Sequence, residues 1–236
     1  MNNNPIPLRQ IRSFVRRDSR LTKGQTEALA TLWSRYGIEL GDQPMEMAQL
    51  FGQDTPVTLE IGFGNGDSLA EMAAAQPDHG FLGIEVHRPG IGHILQRAEQ
   101  LALPNLRILR EDAIEVLNRM IPEASLSRVQ LFFPDPWHKR RHHKRRIVSP
   151  AFLQLIARRL QPGGYFHMAT DWENYARAAL TLLEQSPDFV NTSADGGFVP
   201  RPSSRPITKF ERRGHRLNHG VWDLIFHTTD TVTSAT

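Results

Sequence analysis

The stretch Val57-Thr-Leu-Glu-Ile-Gly-Phe-Gly-Asn-Gly66, followed by helix-forming residues at 68–75, decides the fold class. Its first five residues are mostly apolar and β-branched, which is typical of a strand buried on both faces. Three glycines at alternate positions then let the backbone turn tightly before the helix begins. The stretch therefore predicts a strand–turn–helix unit of an α/β sheet.

The same alternation continues along the chain. We expect strands at 81–86, 106–109, 129–133, 165–169 and 221–226, and helices at 91–101, 113–120, 149–160 and 173–185. Short strands that alternate with helices predict βαβ units in a mostly parallel sheet with helices on both faces. No convincing helix precedes the last strand, so we expect it to pair in an antiparallel, hairpin-like manner.

Composition excludes several classes of protein. The chain has 236 residues and no cysteine, which excludes a disulfide scaffold, a thiolate zinc site, an iron–sulfur cluster and a cysteine nucleophile. It has no run of roughly 18 apolar residues, and its N-terminus lacks the apolar core of a signal peptide. We therefore expect a cytoplasmic protein, with a basic N-terminal extension and helix over 1–50 and one catalytic domain over 51–236.

Basic residues are concentrated in three clusters, although the formal net charge is only +3. The central cluster, His138–Arg146, holds six Lys or Arg, three His and no acid, so the rest of the chain is mildly acidic. The other clusters lie between Arg9 and Lys23 and between Arg201 and Arg216. Three such clusters favour a nucleic-acid partner over plain solvated charge.

Acidic residues lie at or just beyond the ends of five successive predicted strands. They are Glu60, Glu85, Asp112, Asp135 and Asp171. Ligands of open α/β sheets bind beyond the carboxyl ends of the strands, so these acids should share one ligand-binding edge. They suit a ligand with hydroxyls, amines or positive charge. Asp112 and Asp171 could instead cap helices, whereas a carboxylate inside an apolar strand needs a partner.

The glycine loop Gly62–Gly66 indicates a nucleotide-like cofactor only weakly. It reads G-x-G-x-G and departs from the dinucleotide fingerprint G-x-G-x-x-G. Glu85, 19 residues after Gly66, is placed to bind the ribose of any adenosine cofactor, NAD included. Glu60 and Asp112, which could accept from an adenine amino group, favour S-adenosylmethionine over NAD. An NAD(P)-dependent oxidoreductase is the alternative.

The most specific segment is Leu131–Lys139, in which an apolar strand runs into Pro-Asp-Pro-Trp. The prolines on both sides of Asp135 restrict its backbone and so fix its direction. Trp137 could stack on a base, and the central basic cluster follows at once. The plainer alternative is a rigid turn with a packed tryptophan.

These segments together resemble the bacterial tRNA (guanine-N7)-methyltransferase family. The resemblance covers nearly the whole chain and rests on 60–66, 83–87, 132–139, 142–146, 169–172 and 208–211. It implies a Rossmann-like class I methyltransferase fold with a seven-stranded, mostly parallel sheet and an antiparallel last strand. It also implies S-adenosylmethionine as the cofactor, no metal, and the guanosine at position 46 of the tRNA variable loop as the methyl acceptor.

The resemblance implies a role for each matching residue. The cofactor site comprises Glu60, Gly62, Gly64, Gly66, Glu85, Asp112 and Asp135, and Asp135 is also catalytic. The substrate contacts are Lys139, Asp171, Thr208, Lys209, Phe210 and Glu211, and the tRNA contacts are Arg141, His142, His143, Lys144, Arg145 and Arg146. The partner is tRNA, and we expect a monomer, with a homodimer as the alternative.

The chemistry of guanine N7 limits what the catalytic residue must do. N7 carries a free lone pair and no proton, so the attacking atom needs no deprotonation. We therefore expect Asp135 to orient the base and stabilise its developing positive charge rather than to act as a base.

Two other hypotheses explain less of the sequence. A non-catalytic RNA-binding protein explains the basic clusters but not five acids at one sheet edge. A metal site on His138 and His142 has helical spacing, but the flanking cations would repel a metal ion.

Overall fold

The structure is a computed structural model that describes residues 13–14, 20–207, 211 and 220–229. Its strands are β1 (Gly37–Ile38), β2 (Val57–Ile61), β3 (Gly80–Ile84), β4 (Leu106–Leu109), β5 (Leu126–Phe132), β6 (Leu160–Thr170), β7 (Phe189–Asn191) and β8 (Trp222–Thr228). Its helices are α1 (Lys23–Thr31), α2 (Trp33–Tyr36), α3 (Met47–Phe51), α4 (Asp67–Ala75), α5 (Arg88–Gln100), α6 (Ala113–Arg119), α7 (Pro150–Arg159) and α8 (Glu173–Glu184). A 3₁₀ helix spans Arg140–Arg145.

Within these residues the strands form one eight-stranded sheet in the order β1-β4-β3-β2-β5-β6-β8-β7. All neighbours pair in parallel except β8, which runs antiparallel to both β6 and β7. The predicted mostly parallel sheet with an antiparallel last strand is therefore confirmed.

The family resemblance implies seven strands, and the described residues form eight. The two strands whose bounds the sequence did not predict, β1 and β7, are the short strands at the two edges of the sheet. β1 has two residues and pairs with β4, so it is too short to show any periodicity in the sequence. β6 begins at Leu160 and continues through Pro162-Gly163-Gly164, where the sequence predicts a turn. Its pairing with β5 changes register between Leu126 and Arg128, which accommodates this irregular start.

Both faces of the sheet are covered, as the apolar strands predict. The side chains of Val57, Leu59 and Ile61 pack among residues of α6, α7 and α8 on one face. Residues of α1, α4 and α5 form a second buried cluster on the other face. Because side chains alternate along a strand, Glu60 points to this second face, between the sheet and α4 and α5.

The segment before β2 packs onto the rest of the molecule. Ala28 of α1 and Tyr36 of α2 are buried in the same cluster as α4 and α5, and β1 extends the sheet. The division at residue 50 stays a prediction. Among the described residues, every helix is too short or too polar to cross a bilayer.

Candidate active site

A cleft of about 230 Å³ opens at the carboxyl edge of the sheet, where β2, β3 and β5 end. It is lined by Ser13, Phe14, Ile61, Gly62, Ile84, Glu85, Val86, Glu111, Ala113, Leu131, Phe133, Pro134, Asp135 and Ile147. The structure thus brings together Gly62, Glu85 and Asp135, which the sequence places at one edge. Apolar walls and a few acidic groups suit a nucleoside-like ligand.

Glu60 lies in β2, directly before the cleft-lining residue Ile61; it is only 3% exposed and does not itself line the cleft. Its Oε2 atom has no hydrogen-bond partner among the described residues. Burial, and secondarily repulsion from the Glu85 carboxylate, raises the pKa of Glu60 from 4.5 to about 8. A buried carboxyl in this state is suited to a cationic ligand group, which would favour its charged form.

Glu85 holds the glycine loop against the end of β3. One carboxylate oxygen accepts from the backbone N–H of Gly64 at 2.9 Å, and the other accepts from Val86 at 2.7 Å and His87 at 2.9 Å. Each carboxylate oxygen has more than one acceptor site, so Glu85 can still bind a ligand hydroxyl. Its predicted contact with the cofactor ribose stays a prediction.

Both the glycine loop and the helix that faces it require glycine, for different reasons. Gly62, Gly64 and Gly66 adopt φ angles of 72°, 61° and 78°, which other residues rarely adopt. Gly90, in the first turn of α5, meets the loop from the other side, and a Cβ there would lie 2.0 Å from the Gly64 carbonyl oxygen. The sequence pattern did not indicate Gly90, although glycine is the residue that allows such a close backbone approach.

The two acids after β4 have different positions. Asp112 caps α6 by accepting from the Ile114 N–H at 2.9 Å, and it borders a neighbouring groove rather than the cleft. Glu111 lines the cleft instead. The sequence indicated the helix cap as the alternative role of Asp112, but it gave no indication that Glu111 lines the site. The cofactor role of Asp112 stays a prediction.

Asp135 stands on a constrained turn at the mouth of the cleft. Phe133 and Trp137, on its two sides, have φ angles of 50° and 48°, in a region that non-glycine residues rarely adopt. Its side chain is exposed and borders both the cleft and an adjoining groove lined by Trp137, His138, Lys139 and His142. Asp135 therefore lies where the predicted cofactor site and the basic cluster meet.

Comparison with known proteins identifies the family. Residues 54–224 match a family described as putative methyltransferase. The chain is 59% identical over 223 residues to a tRNA (guanine-N(7)-)-methyltransferase of Klebsiella pneumoniae subsp. pneumoniae, covering 94% of this chain and 93% of the relative. It is also 59% identical over 219 residues to the Aeromonas hydrophila protein of that name, covering 93% and 92%. The chain belongs to the tRNA (guanine-N7)-methyltransferase family.

Solved structures confirm the methyltransferase fold. The 16S rRNA methyltransferase KamB superposes with a TM-score of 0.53 at 21% identity, covering 78% of this chain and 93% of that one. The antibiotic-resistance methyltransferase Kmr gives a TM-score of 0.51 at 16% identity, covering 78% and 91%. The family and fold confirm S-adenosylmethionine as the cofactor of this methyltransferase. They rule against the oxidoreductase and the non-catalytic RNA-binding protein.

The central basic cluster of the methyltransferase continues directly from the Asp135 turn. Lys139, Arg141 and Lys144 are exposed around the 3₁₀ helix. Partial desolvation and four neighbouring cations lower the pKa of His142, so its ring is neutral at pH 7. Exposed cations on one rigid helix can hold phosphates, as the sequence predicts for this cluster.

Two arginines of this cluster brace the turn of the methyltransferase. Arg146 donates from Nε to the Pro136 carbonyl oxygen at 2.9 Å and lies over the ring of Tyr175 at 4.6 Å. Arg145 lies 4.1 Å from the centre of the Trp137 ring, whose Nε1 donates to the Ser13 carbonyl oxygen at 3.2 Å. One face of this indole is thus covered by Arg145. Contacts of Arg145 and Arg146 with tRNA stay predictions.

A second tryptophan of the methyltransferase is open to solvent at the same edge. Trp172 follows Asp171 after β6, is 38% exposed, and meets the His138 ring edge-on at 4.3 Å. The His142 ring instead meets Trp137, at 6.0 Å. No group of three or more potential ligands that could hold a metal ion occurs in the part of the methyltransferase that the structure describes.

The C-terminal substrate segment is described only at its end. Thr208, Lys209 and Phe210 lie outside the described residues. Glu211 is 2% exposed, and both of its carboxylate oxygens accept from Arg205, so it does not face the cleft directly. Arg205 is itself 1% exposed, and this member of the third basic cluster therefore cannot contact a polyanion.

Proposed function

We propose that this methyltransferase modifies the guanosine at position 46 in the variable loop of tRNA. Transfer of a methyl group from S-adenosylmethionine to N7 of a tRNA guanine is the reaction of its family. The observation that carries the proposal is the buried Glu60 carboxyl, whose Oε2 has no hydrogen-bond partner among the described residues, in the strand that leads into the cleft. At Asp135 the mouth of this cleft adjoins the central basic cluster. The end of the site near Glu60 thus suits a cationic group, and the end next to the basic cluster suits a polyanion.

The residues present fit the methyl donor. Glu60 supplies a carboxyl that would pair with the donor's cationic amino acid end. Glu85 would accept from the ribose hydroxyls, and the apolar side chains of Ile84, Ala113 and Leu131 would pack against the adenine. The glycine loop lets the backbone approach the ligand closely. When bound, the cofactor supplies an activated, electrophilic methyl group.

The role of Asp135 follows from the product of the reaction. Methylation at N7 leaves positive charge on the guanine, and it removes no proton from the attacking atom. Asp135 would accept hydrogen bonds from the guanine N1–H and exocyclic amino group, and its charge would stabilise the product-like transition state. Its constrained turn keeps this carboxylate aimed at the junction of cleft and groove, which lowers the cost of orientation.

Binding of tRNA would rest on the exposed cations next to Asp135. Lys139, Arg141 and Lys144 would contact phosphates, which position the RNA but do not read its sequence. Selection of the guanosine would come from the shape of the tRNA and from a base turned out of its stack into the groove. We propose a monomeric enzyme, because a single chain supplies both the cleft and the central basic cluster.

The test is methyl transfer from labelled S-adenosylmethionine to an unmodified tRNA transcript, followed by borohydride–aniline cleavage, which breaks RNA at 7-methylguanosine. A transcript with adenosine at position 46 is the matched control. We expect incorporation into the first transcript only, with a single cut in the variable loop. A cut at another guanosine would refute the position, and incorporation without a cut would refute N7 as the acceptor atom.

A further inference from the structure

Arg205 is the largest fully buried side chain among the described residues. Its guanidinium makes two pairs of hydrogen bonds. It donates to the two carboxylate oxygens of Glu211 at 2.7 and 3.0 Å, and to those of Asp223 at 2.8 and 2.9 Å. Such paired geometry fixes both the position and the plane of each carboxylate, which a lysine cannot do.

A buried histidine completes this cluster. His167 Nε2 lies 2.7 Å from Asp223 Oδ1, and both side chains are buried in the sheet at β6 and β8. Burial lowers the pKa of His167, so the ring is neutral and donates its N–H to the carboxylate. Hydrogen bonds from His167 and Arg205 outweigh burial and lower the pKa of Asp223. Arg201, which is partly exposed, adds an outer cation, since its Nε lies 3.9 Å from Glu211 Oε1. The cluster therefore holds two arginines, one of them fully buried, and two carboxylates.

Stability alone is a weak reason for this arrangement. A buried ion-pair cluster adds little net stability compared with apolar residues of the same volume, because desolvation offsets the attraction between the charges. What the cluster does achieve is geometric. It joins β6, β8 and the connection between β7 and β8, through residues that are 18 and 56 positions apart in the chain.

The cluster lies directly beneath the turn that carries Asp135. The Arg205 guanidinium is 5.8 Å from the ring centres of both Phe132 and Phe133. The His167 ring meets Phe132 edge-on at 4.9 Å. Phe133 lines the cleft and has the strained φ angle of 50° that starts the turn. A shift of Arg205 would therefore be passed through Phe133 to Asp135.

We propose that Arg205 is a positioning residue of the methyl transfer reaction. It anchors the Glu211 end of the connection to β8 and supports Phe133, so that the Asp135 carboxylate keeps the direction needed at the guanine. Glu211 acts through Arg205 rather than by contact with the base. This inference rests on the proposed role of Asp135.

The test is Arg205→Lys, which keeps the charge but cannot form both pairs of hydrogen bonds. A misplacement of the turn by about 1 Å should lower kcat about 10- to 100-fold. Because Glu60, Glu85 and the glycine loop are untouched, whereas Phe133 lines the cleft, the Kd for S-adenosylmethionine should rise by a much smaller factor than kcat falls. The KM for tRNA and its salt dependence should not change either, because Arg205 is not a phosphate contact.

The matched control is Arg159→Lys. Arg159 is a second buried arginine; its Nε donates to the Leu117 carbonyl oxygen at 2.8 Å, at the opposite edge of the sheet. The Arg159→Lys variant should have a lower Tm than the wild type but the same kcat at a temperature where both proteins are folded. Glu211→Gln is a second test, which removes one buried negative charge and keeps an acceptor, so it should fold and lower kcat in the same way.

Three results would overturn the proposal. One is an unchanged kcat in folded Arg205→Lys and Glu211→Gln. Another is a raised KM for tRNA with a flatter salt dependence, which would make Arg205 a phosphate contact. The third is a loss of cofactor binding in proportion to the loss of Tm, which would make its role purely structural. Wild-type enzyme assayed in parallel separates these outcomes from failure of the proposed function, because only that failure would abolish the wild-type cut.

Discussion

Replacing Glu60 with glutamine removes a buried acid from the cofactor site while it keeps the shape of the side chain. The wild-type carboxyl is 3% exposed, its Oε2 has no hydrogen-bond partner in the described part of the chain, and burial raises its pKa to about 8. Glutamine cannot ionise in this environment. We therefore expect Glu60→Gln to make the unliganded enzyme more stable at high pH and to weaken its binding of S-adenosylmethionine.

The size of the stability effect follows from the two pKa values. The pKa of Glu60 is 4.5 for an unburied carboxyl and about 8 in the folded chain. The folded state thus binds the proton more tightly, so its stability is full below pH 4.5 and is lost as pH rises toward 8. At about 1.4 kcal/mol per pKa unit, the total loss is roughly 5 kcal/mol, of which roughly 3 kcal/mol falls between pH 6 and pH 9.

The assay is thermal unfolding of the unliganded wild type and Glu60→Gln at several pH values from 6 to 9. In a chain of this length each 1 kcal/mol corresponds to about 2–4 °C, so the variant's advantage in Tm should grow by roughly 6–12 °C over this range. Glu71→Gln, at an exposed position on α4, is the matched control and should show a constant difference. A difference for Glu60→Gln that does not grow with pH would refute the argument that burial keeps this carboxyl protonated.

The affinity for S-adenosylmethionine provides a second test of the role of Glu60. Loss of a charge-assisted hydrogen bond worth about 1.5–3 kcal/mol should raise the Kd for S-adenosylmethionine about 10- to 100-fold in Glu60→Gln. Calorimetry near pH 7 in buffers of different ionisation enthalpy should detect proton release when the wild type binds the cofactor, and less release in the variant. Equal proton release by both proteins would show that Glu60 is not the group that ionises.

Three further predictions concern the rest of the site. Asp135→Asn should lower kcat about 100-fold through lost charge stabilisation, and the wild-type single-turnover rate should show no steep dependence on one ionisation between pH 6 and 9. Gly90→Ala should raise the Kd for S-adenosylmethionine, because a Cβ 2.0 Å from the Gly64 carbonyl oxygen must displace the glycine loop. Arg141→Gln and Lys144→Gln should each raise the KM for tRNA in filter-binding and rate assays, and should lower the salt slope by about one per lost phosphate contact.

The control for Gly90→Ala is Gly163→Ala, in β6, where a Cβ has no atom within 4 Å but the φ angle of 73° is strained; it should lower Tm and leave cofactor affinity unchanged. A steep loss of rate through an ionisation that disappears in Asp135→Asn would make Asp135 a base. An unchanged salt slope in both Arg141→Gln and Lys144→Gln would place the RNA interface elsewhere on the protein.

The sequence by itself determined the class of fold and the edge of the sheet that holds the site. β2 and β4 have the bounds that their apolar runs predict, Val57–Ile61 and Leu106–Leu109, because a buried strand between turn residues leaves a clear local pattern. The Asp135 turn and the basic cluster are also local, since they are continuous in the chain. Their combination was specific enough to indicate the family.

Only the tertiary structure decided which polar side chains face the ligand and which hold the scaffold. Glu111 and Asp112 are neighbours in sequence, but the backbone direction after β4 turns the first to the cleft and the second to the start of α6. Arg205 belongs to a basic stretch of the sequence, which predicts an exposed cation. In the structure it is buried and donates to Asp223, a residue of β8 that lies 18 positions further along the chain. The local periodicity of the sequence indicates whether a residue lies on a buried strand. It does not indicate which side chains that residue contacts, because those contacts form between segments that are distant in the chain.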